Sequence, residues 1–421
     1  MTSGATGGPV PGGPVTGGPV SGGPVRPGGS DGAVRPGLSP AELAGIVLRR
    51  TTELAQIPAP PGAEQRRAAL VRDWWTADGL QPRTDEAGNV WAVIGDIRNG
   101  PGGLLVCAHL DTVFAADAPH EVRAEPGRLT GPSVGDDSVG VAALSAVASL
   151  TTAGAAPFWI VATVGEEGMG NLAGIRHALD HPPGPVTAVI AIEGNYLGRV
   201  VITGVGSVRL RVSYAGPGGH AWEQAGAPSA VHAAAAAATA IAGVTVPGAR
   251  FSVNIGSIGG GEAINARARH AWLEADLRAD SMTALEQLEG QARLAIAAAA
   301  GDPATGGLVA EITELGRRPA GSISRSSPLA QAAAAALAAA GIAPEFGATS
   351  TDANAAHAAG IPAVALGVTR GAGEHTPAEW IETSGVPAGL AALAATIDEV
   401  RGHSVITGHK MTRGQGVRGR Q

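Results

Sequence analysis

The chain has 421 residues, of which 64 are Gly and 30 Pro, with 44% apolar residues, only 15% charged residues and a formal net charge of −7. That is material for one large domain or two smaller ones, which excludes a wholly disordered or collagen-like chain, and the acidic balance argues against a nucleic-acid binder working through a basic surface. A lone cysteine, Cys107, cannot close an intramolecular disulfide, so a disulfide scaffold is excluded and a reducing, cytoplasmic location is expected.

Residues 1–37 hold 13 Gly and 7 Pro and repeat GGPV every five residues from Gly7 to Val25. Nothing there can bury a core, and the segment reads as a disordered tail. It lacks the basic start and apolar run of a secretory signal. No later stretch offers about 18 uninterrupted apolar residues, so no membrane partner is expected.

Folded structure is expected to begin at Ser39, where Ser39-Pro40-Ala41-Glu42 combines a Ser cap, Pro in the first turn and Glu three residues on, ahead of apolar Leu43, Ile46, Val47 and Leu54. Near-continuous β-rich runs follow at Val90–Ile94, Leu104–Leu110, Phe158–Val164 and Val186–Ile192, with helical segments Val139–Leu150 and Leu172–Leu179 between them. Apolar strands alternating with helices predict an α/β layer with a sheet covered on both faces. After Val201 the strands lengthen and alternate, at Val208–Tyr214, Phe251–Ile258 and Ala266–Leu277, with helices Ala227–Ala242 and Met282–Ala299 and a last strand Leu308–Glu314. This strand-helix-strand-strand-helix-strand order is the split βαβ of a small α+β sandwich. The α/β pattern resumes at Ser327–Ala340 and Ala363–Val368. The expected organisation is therefore a discontinuous domain, 38–203 and 317–401, holding an insert at 204–316, with a basic tail at 402–421.

The candidate chemistry lies where apolar runs end. Leu104–Ala108 ends in His109-Leu110-Asp111, and on a strand positions 109 and 111 point to one side, as when an acid orients a metal-binding imidazole. Alone, this pair also fits a satisfied surface histidine. Asp136 and Asp137, in the glycine-rich loop before the helix at Val139, fit either a helix cap or a ligand site. Strand Phe158–Val164 runs into Gly165-Glu166-Glu167-Gly168, two acids with no basic neighbour in sequence. Such a pair is tolerated where a cation sits between the carboxylates or one holds a proton. A fourth run, Ile190-Ala191-Ile192, ends in Glu193. These residues should meet at one edge of the sheet, where ligands of open α/β sheets collect.

Gly371–Pro377 adds His375 in another glycine loop. Two histidines with three acids suffice for two divalent ions sharing one carboxylate, and the absence of thiolates suits Zn, Co or Mn. Cys107 shares a strand face with His109 but reads as a small buried hydrophobe. No GxSxG elbow supports a serine hydrolase. A non-catalytic metal-binding assembly protein on the same scaffold is a remote alternative.

Five ordered motifs, HLDTV at 109–113, GDDSVG at 135–140, GEEG at 165–168, GGH at 218–220 and GEHTPAEW at 373–380, resemble the co-catalytic zinc peptidases and deacylases that include peptidase T, carboxypeptidase G, acetylornithine deacetylase and succinyl-diaminopimelate desuccinylase. The likeness runs over about residues 40–400. It implies an α/β fold with a zinc-exopeptidase-like mixed sheet flanked by helices and a ferredoxin-like lid and dimerisation insert, and a dimetal hydrolase of a peptide bond or of an N-acyl amino acid. By the same resemblance His109 and Glu193 would bind one metal, Glu167 and His375 the second, and Asp136 would bridge them across a cis Asp136–Asp137 bond. Asp111 would orient His109 and Glu166 would be the general base. In the insert, His220 would hold the oxyanion, often across a dimer, and Asn265 would bind the substrate backbone. Arg278 would meet a substrate carboxylate or, equally, form a cross-strand ion pair. Ser350–Asn354 resembles a pocket-lining loop, with a helix cap as its alternative. Trp222 is larger than the residue such a loop is expected to carry.

Overall fold

The computed structural model describes residues 37–96, 102–301 and 307–402. The GGPV segment through residue 36 and the basic segment from 403 lie outside the described residues. Helix α1 (Pro40–Ala55) opens with the expected capping box: the Ser39 hydroxyl accepts from the Glu42 amide at 3.3 Å and the Glu42 carboxylate accepts from the Ser39 amide at 2.8 Å. Helix α2 (Gln65–Ala77), which no clear apolar period announces, leads to β1 (Arg83–Thr84) and β2 (Val90–Ile94). Then come β3 (Leu104–His109), a short hairpin β4 (Arg123–Glu125) and β5 (Arg128–Thr130), α3 (Val139–Leu150), β6 (Phe158–Thr163), α4 (Ala173–Asp180), β7 (Ala188–Ile192) and β8 (Arg199–Gly204).

The insert follows as β9 (Gly206–Ala215), β10 (Gly219–His220), α5 (Ala230–Ala242), β11 (Phe251–Gly260), β12 (Ala266–Arg267), β13 (His270–Ala279), α6 (Met282–Gly301) and β14 (Ala310–Arg318). The chain returns through β15 (Gly321–Ser322), α7 (Pro328–Ala339), β16 (Glu345–Thr349), α8 (Ala353–Ala358), β17 (Ala363–Leu366), β18 (Gly371–Ala372), β19 (Trp380–Glu382) and α9 (Val386–Gly402).

The large sheet runs β1-β2-β6-β3-β7-β17-β8-β15, with β16 also on β8. The central pairs β6/β3, β3/β7 and β7/β17 are parallel, whereas β1, β2 and β15 join antiparallel. Alternate residues feed two cores. Val106 and Ile160 pack with α1, α3, α7 and α9, while Leu105, Cys107 and Val161 pack with α4 and α8. Burial on both faces explains the unbroken apolar runs of these strands.

The insert is an antiparallel sheet in the order β11-β13-β9-β14, with α5 and α6 over one face, the ferredoxin-like arrangement. Its core is separate and built on Val208, Leu210, Leu273, Leu277, Ile241 and Leu285. The expected strand from Ala266 is interrupted: Ala266 and Arg267 leave the sheet to pair with Gly219 and His220, and β13 starts at His270.

Candidate metal centre

The three parallel strands β3, β6 and β7 end at the same edge of the large sheet, and the site residues leave from those ends. His109 closes β3, Glu166 and Glu167 follow β6, and Glu193 follows β7. Asp136 comes from the turn Val134–Ser138 ahead of α3, and His375 from the loop between β18 and β19, where its backbone is held at φ 64°.

Neither acid of the Asp136–Asp137 pair caps α3. The bond between them is cis, and the backbone of both leaves helical values. Asp136 faces the cluster, and Asp137 lies beneath it on the amides of His109 and Gly194.

Besides a triad of His109, Glu166 and Glu167, two triads of ligand atoms share a residue, each within 4.8 Å: His109, Asp136 and Glu193, and Asp136, Glu167 and His375. Asp136 belongs to both, with one carboxylate oxygen 2.8 Å from His109 Nε2 and the other 3.2 Å from His375 Nε2. His375 Nε2 is also 3.2 Å from Glu167 Oε1. The sequence-derived residues His109, Asp136, Glu166, Glu167, Glu193 and His375 thus come together.

A second layer of acids holds the first. The buried Asp111 carboxylate accepts from the Glu166 amide at 2.9 Å and the Glu167 amide at 2.7 Å, and lies 3.5 Å from His109 Nδ1. Asp137 accepts from the Gly194 amide at 2.8 Å and the His109 amide at 3.3 Å. Glu379 accepts from the amides of Ser133, Gly135 and Asp136 at 3.0, 2.6 and 2.7 Å. The buried Arg67 reaches the Leu110 carbonyl and the Ser133 hydroxyl.

Sequence reasoning missed the work of Asp137 and Glu379, although both sit inside the motifs it used. It also missed Arg318 at the end of β14, whose Nη1 lies 2.8 Å from Glu166 Oε1 and whose Nη2 donates to the Glu166 carbonyl. Nothing local in the sequence marks that arginine.

The electrostatics of this pocket favour added positive charge. Burial, with Glu167 beside it, pushes Glu166 up to about 8 against the pull of Arg318. Burial and the neighbouring Asp136 and Asp137 carboxylates hold Glu193 well above the carboxylate range. Hydrogen bonds to Asp136 and Glu167 lift His375 to about 10. Burial opposes a charged His109, but Asp111 and Asp136 outweigh it and raise its pKa well above the imidazole range. Burial likewise opposes ionised Asp136, yet the two imidazoles hold that carboxyl below its usual value. Acids that retain protons and imidazoles that gain them report one cause, a surplus of carboxylates in a low-dielectric pocket.

His220 and Asn265 are brought to one another rather than to this cluster. The β10–β12 ribbon and a 2.9 Å bond from the Ala221 amide to the Asn265 carbonyl place both on an exposed tip with Trp222. No hydrogen bond or ion pair joins them to the cluster among the described residues. Arg278 pairs with Asp276 two residues earlier on its own strand, at 2.9 Å. It shares the open face of the insert with Arg209, which donates to the Gly168 carbonyl just after Glu167. In the loop Ser350–Asn354, Asp352 stands at the N-cap of α8, but its side chain makes no capping bond and instead accepts from the Thr163 hydroxyl at 2.6 Å.

A model of Peptidase family M20/M25/M40 matches residues 105–399. The chain is 31% identical over 174 residues to the LysW-lysine hydrolase of Deinococcus radiodurans, covering 39% of this chain and 46% of that protein, so it spans under half the length of the curated relative it matches. Among solved structures, the aminopeptidase PepT of Bacillus cereus ATCC 10987 superposes with a TM-score of 0.70 at 21% identity, over 85% of this chain and 98% of that one. A dinuclear metal binding peptidase of the M20 family from Bacillus subtilis superposes with a TM-score of 0.62 at 16% identity, over 86% and 99%. No helix among the described residues is long and apolar enough to cross a membrane.

Proposed function

The chain belongs to Peptidase family M20/M25/M40, a family of hydrolytic enzymes, and we propose that it cleaves a peptide or amide bond of a small substrate, as an exopeptidase with Glu166 as general base. The observation that carries this reading is the sharing of Asp136 between two triads, with the Glu166 carboxyl beside them. Each triad offers one imidazole and two carboxylates, a donor set suited to a borderline divalent cation, for which Zn is the first choice and Co or Mn the others. His109, Asp136 and Glu193 would hold one ion, and Asp136, Glu167 and His375 the second. Ions bound there lower the pKa of water and polarise an amide carbonyl.

Glu166 accepts the proton of the attacking water and hands it to the leaving amine, a shuttle that needs a carboxyl poised near working pH. Asp111 holds the amides of Glu166 and Glu167 with its carboxylate and His109 Nδ1 with its main-chain carbonyl at 3.1 Å, so base and ligands keep a common frame. His220 and Asn265, exposed on their ribbon, would serve the site of a second copy in a homodimer formed through the insert, His220 at the oxyanion and Asn265 at the substrate backbone. Arg278 would meet a substrate carboxylate. No nucleic-acid or membrane partner is proposed, and the cytoplasm is the proposed location.

The aminopeptidase likeness favours a peptide substrate. The LysW-lysine hydrolase likeness favours a second reading, an amidohydrolase releasing an amino acid from an acyl group. A hydrolysis screen of dipeptides, tripeptides and N-acetyl amino acids with Zn, Co or Mn separates them. Exopeptidase action predicts turnover of free peptides. Cleavage of N-acetyl amino acids alone would install the second reading, and no metal-dependent hydrolysis of any would overturn both.

A further inference from the structure

Two segments cross between the large core and the insert, Gly204-Val205-Gly206 on the way in and Arg318-Pro319-Ala320 on the way out. One side chain holds both. Asn354 Nδ2 donates to the Val205 carbonyl at 2.9 Å and to the Pro319 carbonyl at 2.8 Å, while its Oδ1 accepts from the Thr351 amide at 3.0 Å. Asn354 is fully buried, so breaking these bonds would leave its amide without a partner. The glycines make the approach possible. A Cβ on Gly204 would lie 2.6 Å from Asn354 Oδ1, and one on Gly206 would lie 2.6 Å from the Ala320 nitrogen.

The residue beside the pinned Pro319 is Arg318, the partner of Glu166. Its Nη1 is also 3.1 Å from the Ser350 hydroxyl. A single loop, 350–354, therefore touches the guanidinium through Ser350, the strand leading to the base through Asp352 and Thr163, and both crossings through Asn354. Because Arg318 and Pro319 are adjacent, the insert cannot rotate about its crossings without disturbing the Asn354 bonds or the Arg318–Glu166 pair.

We propose that Asn354 is a positioning residue: by pinning both crossings it fixes Arg318 on Glu166, and so couples the placement of the insert to the orientation of the base. The inference rests on Glu166 being the general base. A purely structural Asn354 would destabilise the fold when removed but would not act through Arg318.

A double-mutant cycle of Asn354→Ala and Arg318→Met in the metal-loaded full chain separates these cases. The readouts are amide hydrogen exchange of residues 164–170 and the steady-state constants. Asn354→Ala is expected to speed exchange in that segment and to lower kcat, each about tenfold, with KM little changed, and to add nothing further in the Arg318→Met background. Additive effects, or unchanged exchange and kcat, would overturn the proposal. Should Asn354→Ala fail to fold, Ser350→Ala removes the second anchor of Arg318 and is expected to act in the same direction; no change in either readout would again overturn it. A wild-type chain with coupled exchange but no metal-dependent hydrolysis would remove the functional reading alone. Hydrolysis with an additive cycle would remove the coupling alone.

Discussion

Glu379 touches no candidate metal ligand side chain, yet its carboxylate gathers three amides of the turn that aims Asp136. A glutamine there would present an NH2 group to donors and lose part of that grip. Glu379→Gln is therefore expected to weaken metal binding about 10- to 100-fold, as replacements behind metal ligands do, with the ligands themselves intact. Competition with a chromophoric chelator measures it. His109, Asp136, Glu166, Glu167, Glu193 and His375 were legible in the sequence because each sits where a strand or glycine loop ends in a charged side chain. Arg318 and the grip of Asn354 were not. The Arg318–Glu166 pair joins positions 152 apart, and no periodicity or spacing carries that information.

At the scale of elements, the turn Val134–Ser138 and the first turn of α3 form one device. Gly140 lies against the Asp137 carboxylate so closely that an added Cβ would be 2.1 Å from Oδ1 and 2.5 Å from Oδ2. Gly140→Ala would push Asp137 off the amides of Gly194 and His109. Both the melting temperature and the metal affinity should fall, by calorimetry and by titration; a variant matching the wild type in both would show that Asp137 is not holding those strand ends. Strands β2, β3, β6 and β7 and helix α3 were readable because their apolar runs are long and buried on both faces. Helix α2 was not, since Arg67, buried among carbonyls and Ser133, interrupts its apolar stripe. The β10–β12 ribbon escaped notice because two residues make no period.

For the whole molecule, the two tails carry +1 and +4 of the net −7, which leaves −12 on residues 38–401. Asp111, Asp137, Glu166, Glu167, Glu193, Asp352 and Glu379 of that stretch are buried around one site. Burial pushes both Glu166 and Glu379 up to about 8, so in the metal-free chain the folded state keeps protons that unfolded glutamates release near 4.5. Stability must then fall as pH rises from 4.5 towards 8. His375, lifted to about 10 by Asp136 and Glu167, adds to the fall above 6.5, where its unfolded form loses its proton. His357, pushed by burial down to about 4, opposes this only below 6.5. Between pH 6.5 and 8 the metal-free melting temperature should drop, and saturating zinc should flatten the slope; a metal-free profile that rises across this window would contradict the charge balance described.

In the proposed mechanism two ions share Asp136 while Glu166 moves the proton. Turnover of Glu166→Gln, loaded to two zinc equivalents per chain, tests it most directly. A loss of about 10²- to 10⁴-fold in kcat is expected, with the two equivalents retained. Turnover near the wild-type rate at full zinc loading would contradict it.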